Sequence, residues 1–580
     1  MTLRYSLIKR FNQTKPFYVT TPIFYVNASP HLGHLYSMLI ADTRSRWEKL
    51  NPKNSSYMLT GTDEHGLKIQ TVAEKQGIDP KLLCDQVSKN FKDLSNKFNI
   101  DYDRFIRTTD QDHIKVTHYF WNIMKEKGLI EKGSHSGWYC VSDETFYPEA
   151  NTEEIEKNGK TIRISSETKN EVIYQEETNY FFKLSAFQDQ LIKYLKENPN
   201  FIKPTHRYKF ILNELMTTKL PDLSISRPSS RLKWSIEVPN DSTQKIYVWF
   251  DALLNYLTAT GFPNGFEQDS KYVTPKNNLW PATHIIGKDI IRFHCIYWPI
   301  FLLAAGIELP KQIIVHSHWL CEGFKMSKSL GNVVDPIEMS EFYGIDSIRF
   351  FLIENSNIDD DCKFSENLLE RSRDSLLGKY CNLLSRIGGI NFNIEESVQY
   401  YKNSQFNDIK TFIKNNSIKK EIVPTILQIS NELQENLNNL YDNMNQKIIE
   451  FDYIRAIQLW WQVINQANQL FQISEPWLYV KALNSNTNHQ SSRLDPEMIK
   501  NYKKLINYYV YLCSETIRIS SILIQPIIPS LSNDILNRLN VEPSKRNSNF
   551  VKIGKDLNYG KDANSKIHKL PLQKLKSRIK

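Results

Sequence analysis

Residues 17–50 read FYVTTPIFYVNASPHLGHLYSMLIADTRSRWEKL, and the order of their patterns decides the fold. The run from Phe17 to Val26 is β-branched and aromatic, which predicts a buried strand. Asn27-Ala28-Ser29-Pro30 breaks it. Beyond the break, Leu35, Leu39 and Trp47 recur among charged residues as they do in an amphipathic helix. Strand, tight turn and helix make the opening unit of a doubly wound parallel sheet, and they set His31-Leu32-Gly33-His34 at a helix N-terminus, where anions bind. A second predicted strand, YMLTGTDEHG from Tyr57, runs into a polar turn. Asp63, Glu64 and His65 then lie at a strand's C-terminal end, the side on which such sheets hold ligands.

Outward from this unit the chain is too long, at 580 residues, for one core. Hydrophobic residues at 41% and charged ones at 24% are the composition of a globular protein. No apolar run approaches the ~20 residues a membrane span needs. The excess of 73 basic over 64 acidic residues, +9, suits a polyanionic partner without requiring one. Cys84, Cys140, Cys295, Cys321, Cys362, Cys381 and Cys513 never fall in a C-x-x-C pair, so neither a zinc ribbon nor a disulfide framework is predicted, and a reducing compartment is the default. Residues 1–16, MTLRYSLIKRFNQTKP, carry Arg4, Lys9, Arg10 and Lys15 and no acid. They read as a short mitochondrial presequence, with an ordinary basic tail as the alternative.

The pattern changes along the chain. Residues 17–127 read as the first half of a Rossmann-type α/β domain. Residues 128–212, with short aromatic strands in SGWYCVSDETFY and ETNYFFKLS, read as an inserted α+β subdomain. Residues 213–334 resume the α/β character at KIYVWFDALLNYL and ATHIIGKDIIRFHCIYWPIFLLAA. A connecting stretch, 335–367, leads to 368–540, whose Leu, Ile, Asn and Lys with few glycines predict a helical bundle. Asn484 to Asn488 read as a loop. The basic tail 541–580 is expected to be only partly ordered, with lysines at 552–580 available for phosphate contacts.

One further segment, Lys325-Met326-Ser327-Lys328-Ser329, follows the strand-like KQIIVHSHWL and precedes Leu330-Gly331-Asn332. No G-x-x-x-x-G-K-[ST] occurs to hold a triphosphate, so two histidines and two lysines are the groups available for it. The pair of segments resembles the two signatures of class I aminoacyl-tRNA synthetases. With the sequence around it, from about Phe17 to Leu539, the chain is most similar to the methionyl-tRNA synthetase family, in its short, zinc-free mitochondrial or bacterial form.

The resemblance implies a set of roles. His31 and His34 would hydrogen-bond the phosphates of ATP, Gly33 would lie under adenine, Gly287 and Asp289 would meet the nucleoside, Ser327 would help bind ATP, and Lys325 and Lys328 would clamp the departing pyrophosphate, with Mg²⁺ arriving on ATP. Ile23, Tyr25, Trp249, Ala252, Leu253, Tyr256, Ile290 and His294 would line the methionine pocket. An apolar, aromatic wall with one weak polar contact suits a thioether. Asp63 would receive the α-ammonium and Arg227 would lie near the carboxylate. Residues 335–367 would contact the tRNA stem, and Asn382, Arg386 and Trp477 in the helical region would read the anticodon by hydrogen bonding and stacking. No structural zinc, a monomer, and tRNA(Met), L-methionine and ATP as partners in the mitochondrial matrix complete the expectation. With no zinc, the inserted subdomain would rest on aromatic residues including Trp138, Tyr147, Phe181 and Phe182.

Two rivals stay open at this stage. A class I synthetase for valine, isoleucine or leucine would carry a large editing insertion, yet only about 290 residues separate His34 from Lys325; a cysteine enzyme would need thiol-binding zinc ligands. A non-catalytic RNA-binding descendant would have no use for His31, His34 and Lys328.

Overall fold

The computed structural model describes residues 15–140, 145–157, 159–264, 266–268, 273–275, 279–321, 323–326, 331–488, 494–567 and 570–575. Residues 1–14 of the expected presequence, together with Ser327 and Lys328 and the side chain of Lys325, lie outside them. The chain forms two compact units, one of residues 1–41 and 56–318, the other of 42–55 and 319–580.

The first unit is built on a six-stranded parallel sheet. In chain order its strands are β1 (Phe17–Tyr25), β2 (Ser56–Asp63), β3 (Arg104–Arg107), β4 (Ile202–Lys203), β5 (Thr283–Gly287) and β6 (Gln312–His316), and across the sheet they run β3-β2-β1-β5-β6-β4. The order reverses at β1, between β2 and β5, which is where an open α/β sheet leaves its ligand crevice. Register fixes what meets there: Ile23 pairs with Gly61 and Tyr25 with Asp63, and Gly287 pairs with His316. Burial on both faces explains the apolar strands, Val19, Met58, Leu59, Ile285, Ile286, Ile313, Ile314 and Val315 all being solvent-inaccessible or nearly so.

Three expectations shift here. Strand β4 lies inside the stretch assigned to the insertion, but Ile202 and Lys203 pair in parallel with Ile313 and Ile314, so they belong to the large sheet. Two residues are too short for a hydrophobic period to show. The insertion itself is an antiparallel sheet of Ile130–Cys140, Thr145–Tyr147, Val172–Phe182 and Leu223–Ser224. Trp138 and Tyr147 pack with Cys140 and Val172 in a small core of their own, whereas Phe182 faces Phe301 in the core of the large sheet. The helix Leu32–Lys49 is not amphipathic, because every residue from 35 to 45 is buried. Two of its buried polar residues have side-chain partners: Ser37 Oγ lies 2.8 Å from His316 Nε2, and Asp42 pairs with Arg46.

The second unit has a small sheet, Phe324–Lys325 against Trp319–Cys321 against Cys362–Phe364, and otherwise helices. Helix Val423–Ile449 buries Val423, Ile426, Ile429, Leu433, Leu437, Leu440, Met444 and Ile448, a stripe at spacings of three and four. Helix Pro496–Ile524 starts on Asp495, whose carboxylate caps the Glu497 N–H, with proline at the first helical position. Arg349 is fully buried, 2.6 Å from Asp42, and also donates to the carbonyls of Pro526 and Ile527.

Asn484 to Asn488, expected as a loop, continue helix Pro476–Asn488. Buried Tyr479 anchors that helix against Tyr502, and tertiary packing overrides the weak helix propensity of asparagine. The tail is also ordered over much of its length. Arg518 donates to the carbonyls of Phe550 and Lys552, Glu515 accepts from the Gly554 N–H, Asn564 bridges Phe392 and Ile394, and Ile567 is buried. Gly388 admits this contact, since a Cβ there would sit 2.4 Å from Ile567.

Candidate active site

The H-x-G-H segment begins its helix as a capping box made of two histidines. His31 is the capping residue: its Nδ1 accepts the Gly33 N–H at 3.0 Å, while His34 Nδ1, one turn on, accepts the His31 N–H at 3.0 Å. Two backbone donors of the helix terminus are thereby satisfied. In each neutral ring, acceptance at Nδ1 places the proton on Nε2, which makes both imidazoles Nε2–H donors. The rings lie 3.9 Å apart, and the His34 ring packs edge-on against the stacked pair Phe24 and Phe91. Gly33 is glycine for a local reason: a Cβ there would come within 2.9 Å of the capping His31 ring.

Strand ends bring the next groups to the same edge. Ile23 and Tyr25 project from one face of β1, two residues apart. Asp63, its side chain buried, ends β2, and its carbonyl accepts from the Val26 N–H. At the end of β5 the Asp289 carboxylate folds back over Gly287, so that a Cβ on Gly287 would meet Asp289 Oδ1 at 2.7 Å. His318 Nε2 lies 3.2 Å from the same oxygen.

The residues expected to line the methionine pocket come from helix Val248–Ala252, the following turn Asn255–Thr258, and the segment from Lys288 to Tyr297, which contains a π-helical turn at Phe293–Tyr297. Such turns displace side chains out of the α-helical rows and are frequent at functional sites. Trp249 stacks on Phe293, 3.7 Å apart and nearly parallel, and meets His294 edge-on. Ala252 and Leu253 are buried behind it. Ile290 is half-buried and its carbonyl lies 3.1 Å from His294 Nδ1. A carbonyl only accepts, so Nδ1 carries the proton and Nε2 accepts the Tyr256 hydroxyl at 2.7 Å. Burial holds His294 neutral, with its pKa pushed down to about 4 despite the Ile290 bond.

A second histidine supports this pair. His284 is buried with its ring 4.2 Å from that of Tyr256; Trp298 Nε1 donates to its Nε2 at 3.1 Å, and its Nδ1 lies 2.8 Å from Thr20 Oγ1. Burial, reinforced by His294, depresses its pKa strongly. His316 is the third: Nδ1 donates to the Ser317 carbonyl, Nε2 accepts from Ser37, and burial brings its pKa to about 4.

Arg227 is placed differently. It sits in a small antiparallel sheet, Ser226–Pro228 against Asp241–Ile246, with its guanidinium on the Ser224 hydroxyl and the Ser226 carbonyl and over the rings of Tyr247 and Tyr139. Tyr247 precedes Trp249 by two residues, which ties Arg227 to the pocket helix. Lys325 lies in strand Phe324–Lys325, opposite Leu320, and Asn332, after the signature, donates toward the Cys321 carbonyl at 3.3 Å.

In the helical unit Asn382 and Arg386 are one turn apart on helix Asn382–Ile387. Arg386 donates to Gln472 Oε1 at 2.9 Å and covers the ring of Phe471, which in turn lies 6.0 Å from the half-buried Trp477. Phe471 links Arg386 to Trp477 and Gln472 holds Arg386, and sequence reading missed both. It missed as well a buried carboxylate, Asp251, which bonds His65 at 2.7 Å and His113 at 2.6 Å. Burial would raise this carboxyl, yet the two histidines hold it at about 2. Among the described residues no group of three histidine, cysteine or acidic side chains could hold a metal ion, and no helix is long and apolar enough to cross a membrane.

Comparison with known proteins completes the assignment. Residues 17–388 match the family described as tRNA synthetases class I (M). A mitochondrial methionine–tRNA ligase of Candida albicans is 68% identical over 98% of this chain and 97% of its own length. That of Saccharomyces cerevisiae is 44% identical over 99% and 98%. Among solved structures, Mycobacterium tuberculosis methionyl-tRNA synthetase in complex with methionyl-adenylate superposes with a TM-score of 0.77 at 33% identity, covering 94% of this chain and 98% of that one. A histidine capping box at the switch point of a parallel sheet, the aromatic cluster of Trp249, Tyr256 and His294, and these likenesses agree: the chain belongs to the methionine branch of the class I tRNA synthetases.

Proposed function

We propose that the protein is a methionine–tRNA ligase of the mitochondrial matrix, acting as a monomer. What supports this reading is that one strand–turn–helix unit carries the residues proposed for both ends of the chemistry. Strand β1 contributes Ile23 and Tyr25 to the amino-acid side, and the helix that follows it opens on the paired Nε2–H donors of His31 and His34.

In this reading a carboxylate oxygen of methionine attacks the α-phosphorus of ATP, the bond to the β-phosphate oxygen breaks, and pyrophosphate leaves. Charge accumulates on the phosphate oxygens, and His31 and His34 donate to it from positions fixed before the reaction, so little reorganisation is needed. Lys325 and Lys328 take the departing pyrophosphate, Ser327 contributes to binding ATP, Gly287 and Asp289 hold the nucleoside, and Mg²⁺ would arrive with ATP and offset its phosphate charge. Asp63 receives the α-ammonium and Arg227 lies toward the carboxylate. Trp249, Ala252, Leu253, Ile290, Tyr256 and His294 enclose the thioether. In the second step the 2′-hydroxyl of the terminal adenosine of tRNA attacks the adenylate carbonyl and AMP leaves. Asn382, Arg386 and Trp477 select tRNA(Met) by its anticodon. No structural zinc is required in this scheme.

The test is amino-acid-dependent ATP–pyrophosphate exchange with each of the twenty amino acids offered singly. Exchange with methionine alone is expected. Exchange with another amino acid would overturn the pocket reading, and none at all in folded protein would favour a non-catalytic RNA-binding role. With methionine, His34→Ala is expected to slow exchange about a hundred- to a thousandfold, the usual effect of removing one donor to transition-state charge.

A further inference from the structure

Helix Val248–Ala252 carries, between the pocket residues Trp249 and Ala252, a side chain to which none of the pocket roles applies. Asp251 is fully buried; its Oδ2 accepts from His65 Nδ1 at 2.7 Å and its Oδ1 from His113 Nε2 at 2.6 Å. His113 comes from helix Gln111–Glu126, and its Nδ1 lies 3.0 Å from Thr258 Oγ1. His65 stands two residues beyond Asp63. The residue between them, Glu64, is clamped by Arg107 at 2.6 and 2.9 Å and by the hydroxyls of Thr62 and Thr109. Its carbonyl also accepts from Trp234 Nε1. The end of β2 is thus pinned at every residue from 62 to 65, and through His65 it is pinned to the helix that forms the pocket wall.

A buried ionised carboxylate is a poor route to stability, since an apolar side chain of like volume does as well or better. What it supplies is geometry, because its two oxygens accept from two elements at once. We propose that Asp251 is a positioning residue for amino-acid recognition: by holding His65 to the pocket helix it sets the distance between the Asp63 carboxylate and the wall of Trp249, Ala252 and Leu253, and so governs how the α-ammonium of methionine is bound. The inference rests on the reading of Asp63 as the ammonium receptor.

The test compares methionine with 4-(methylthio)butanoate, which keeps the thioether and the carboxylate but lacks the amine. In pyrophosphate exchange, Asp251→Asn is expected to raise the KM for methionine at least tenfold, to leave the KM for ATP within twofold, and to weaken inhibition by the deaminated acid less than twofold. Equal weakening of both ligands, or of neither, would overturn the proposal, because a general loosening of the fold makes no distinction between them. Should Asp251→Asn fail to fold, His65→Ala removes the other partner of that bond and leaves Asp251 on His113. It is expected to raise the methionine KM threefold or more with the same selectivity, and equal weakening again overturns the idea. Asp63→Asn separates the two levels: if it leaves methionine binding at the parental value the ammonium reading itself falls, whereas weakened methionine binding there with none in Asp251→Asn sinks only the positioning role.

Discussion

Tyr256 has a single hydroxyl proton, and His294 Nε2 receives it. Removing the hydroxyl with Tyr256→Phe leaves a buried acceptor unmatched, which costs about 1–3 kcal/mol, so the urea midpoint is expected to fall. The variant should also discriminate less between methionine and norleucine, in which a methylene replaces sulfur. The ratio of their kcat/KM values in exchange is expected to drop several-fold, and an unchanged ratio would mean that the hydroxyl does not sense sulfur. At this scale sequence reading was uneven. The i, i+3 pair His31 and His34 is visible because the capping geometry imposes its own spacing. Asp251 is not, for its partners lie 186 and 138 positions away and no local period links them. His284 and Phe471 escape for the same reason: each is recognisable only by the ring it lies against.

Elements were legible where a period had room to repeat. Strand β1, strand β2 and the long stripe of Val423–Ile449 follow from their patterns; the two-residue strand β4 and the all-round burial of residues 35–45 in helix Leu32–Lys49 do not, the latter because Ser37 and Asp42 meet partners remote in sequence, His316 and Arg349. Gly61 shows how tightly elements are fitted. It pairs with Ile106, and a Cβ there would stand 1.9 Å from the Ile106 carbonyl oxygen. Gly61→Ala must therefore push β2 from β3, just before the strand end that carries Asp63. A loss of stability at or above the ~1–3 kcal/mol typical of overpacking is expected, measured by urea unfolding. Gly133→Ala, where the nearest atom is 3.7 Å away, is the neutral comparison.

For the molecule as a whole, the buried histidines impose a pH dependence. His294 and His316 have folded pKa values of about 4, and that of His284 is also depressed. The unfolded chain protonates its histidines near pH ~6.5. Above that pH both states are neutral and the stability is whole. As pH falls from about 6.5 toward 4 only the unfolded state gains protons, so each such histidine withdraws about 1.4 kcal/mol per pH unit, and below the folded values the loss levels off. Unfolding midpoints between pH 7 and 4 should show this slope; a flat profile would mean that these rings are already charged when folded. Burial governs the thiols too. Six of the seven cysteines are buried, and Cys84, Cys381 and Cys513 are pushed up to about 12, which keeps them protonated, while Cys321 alone is half-exposed. It faces Phe324 across the hairpin that leads into the Lys325–Ser329 signature. The wild-type chain thus carries its own labelling handle: one equivalent of a maleimide fluorophore is expected to attach at Cys321 first, as peptide mass mapping would show, and its emission would then report nucleotide engagement of that signature in real time without any substitution.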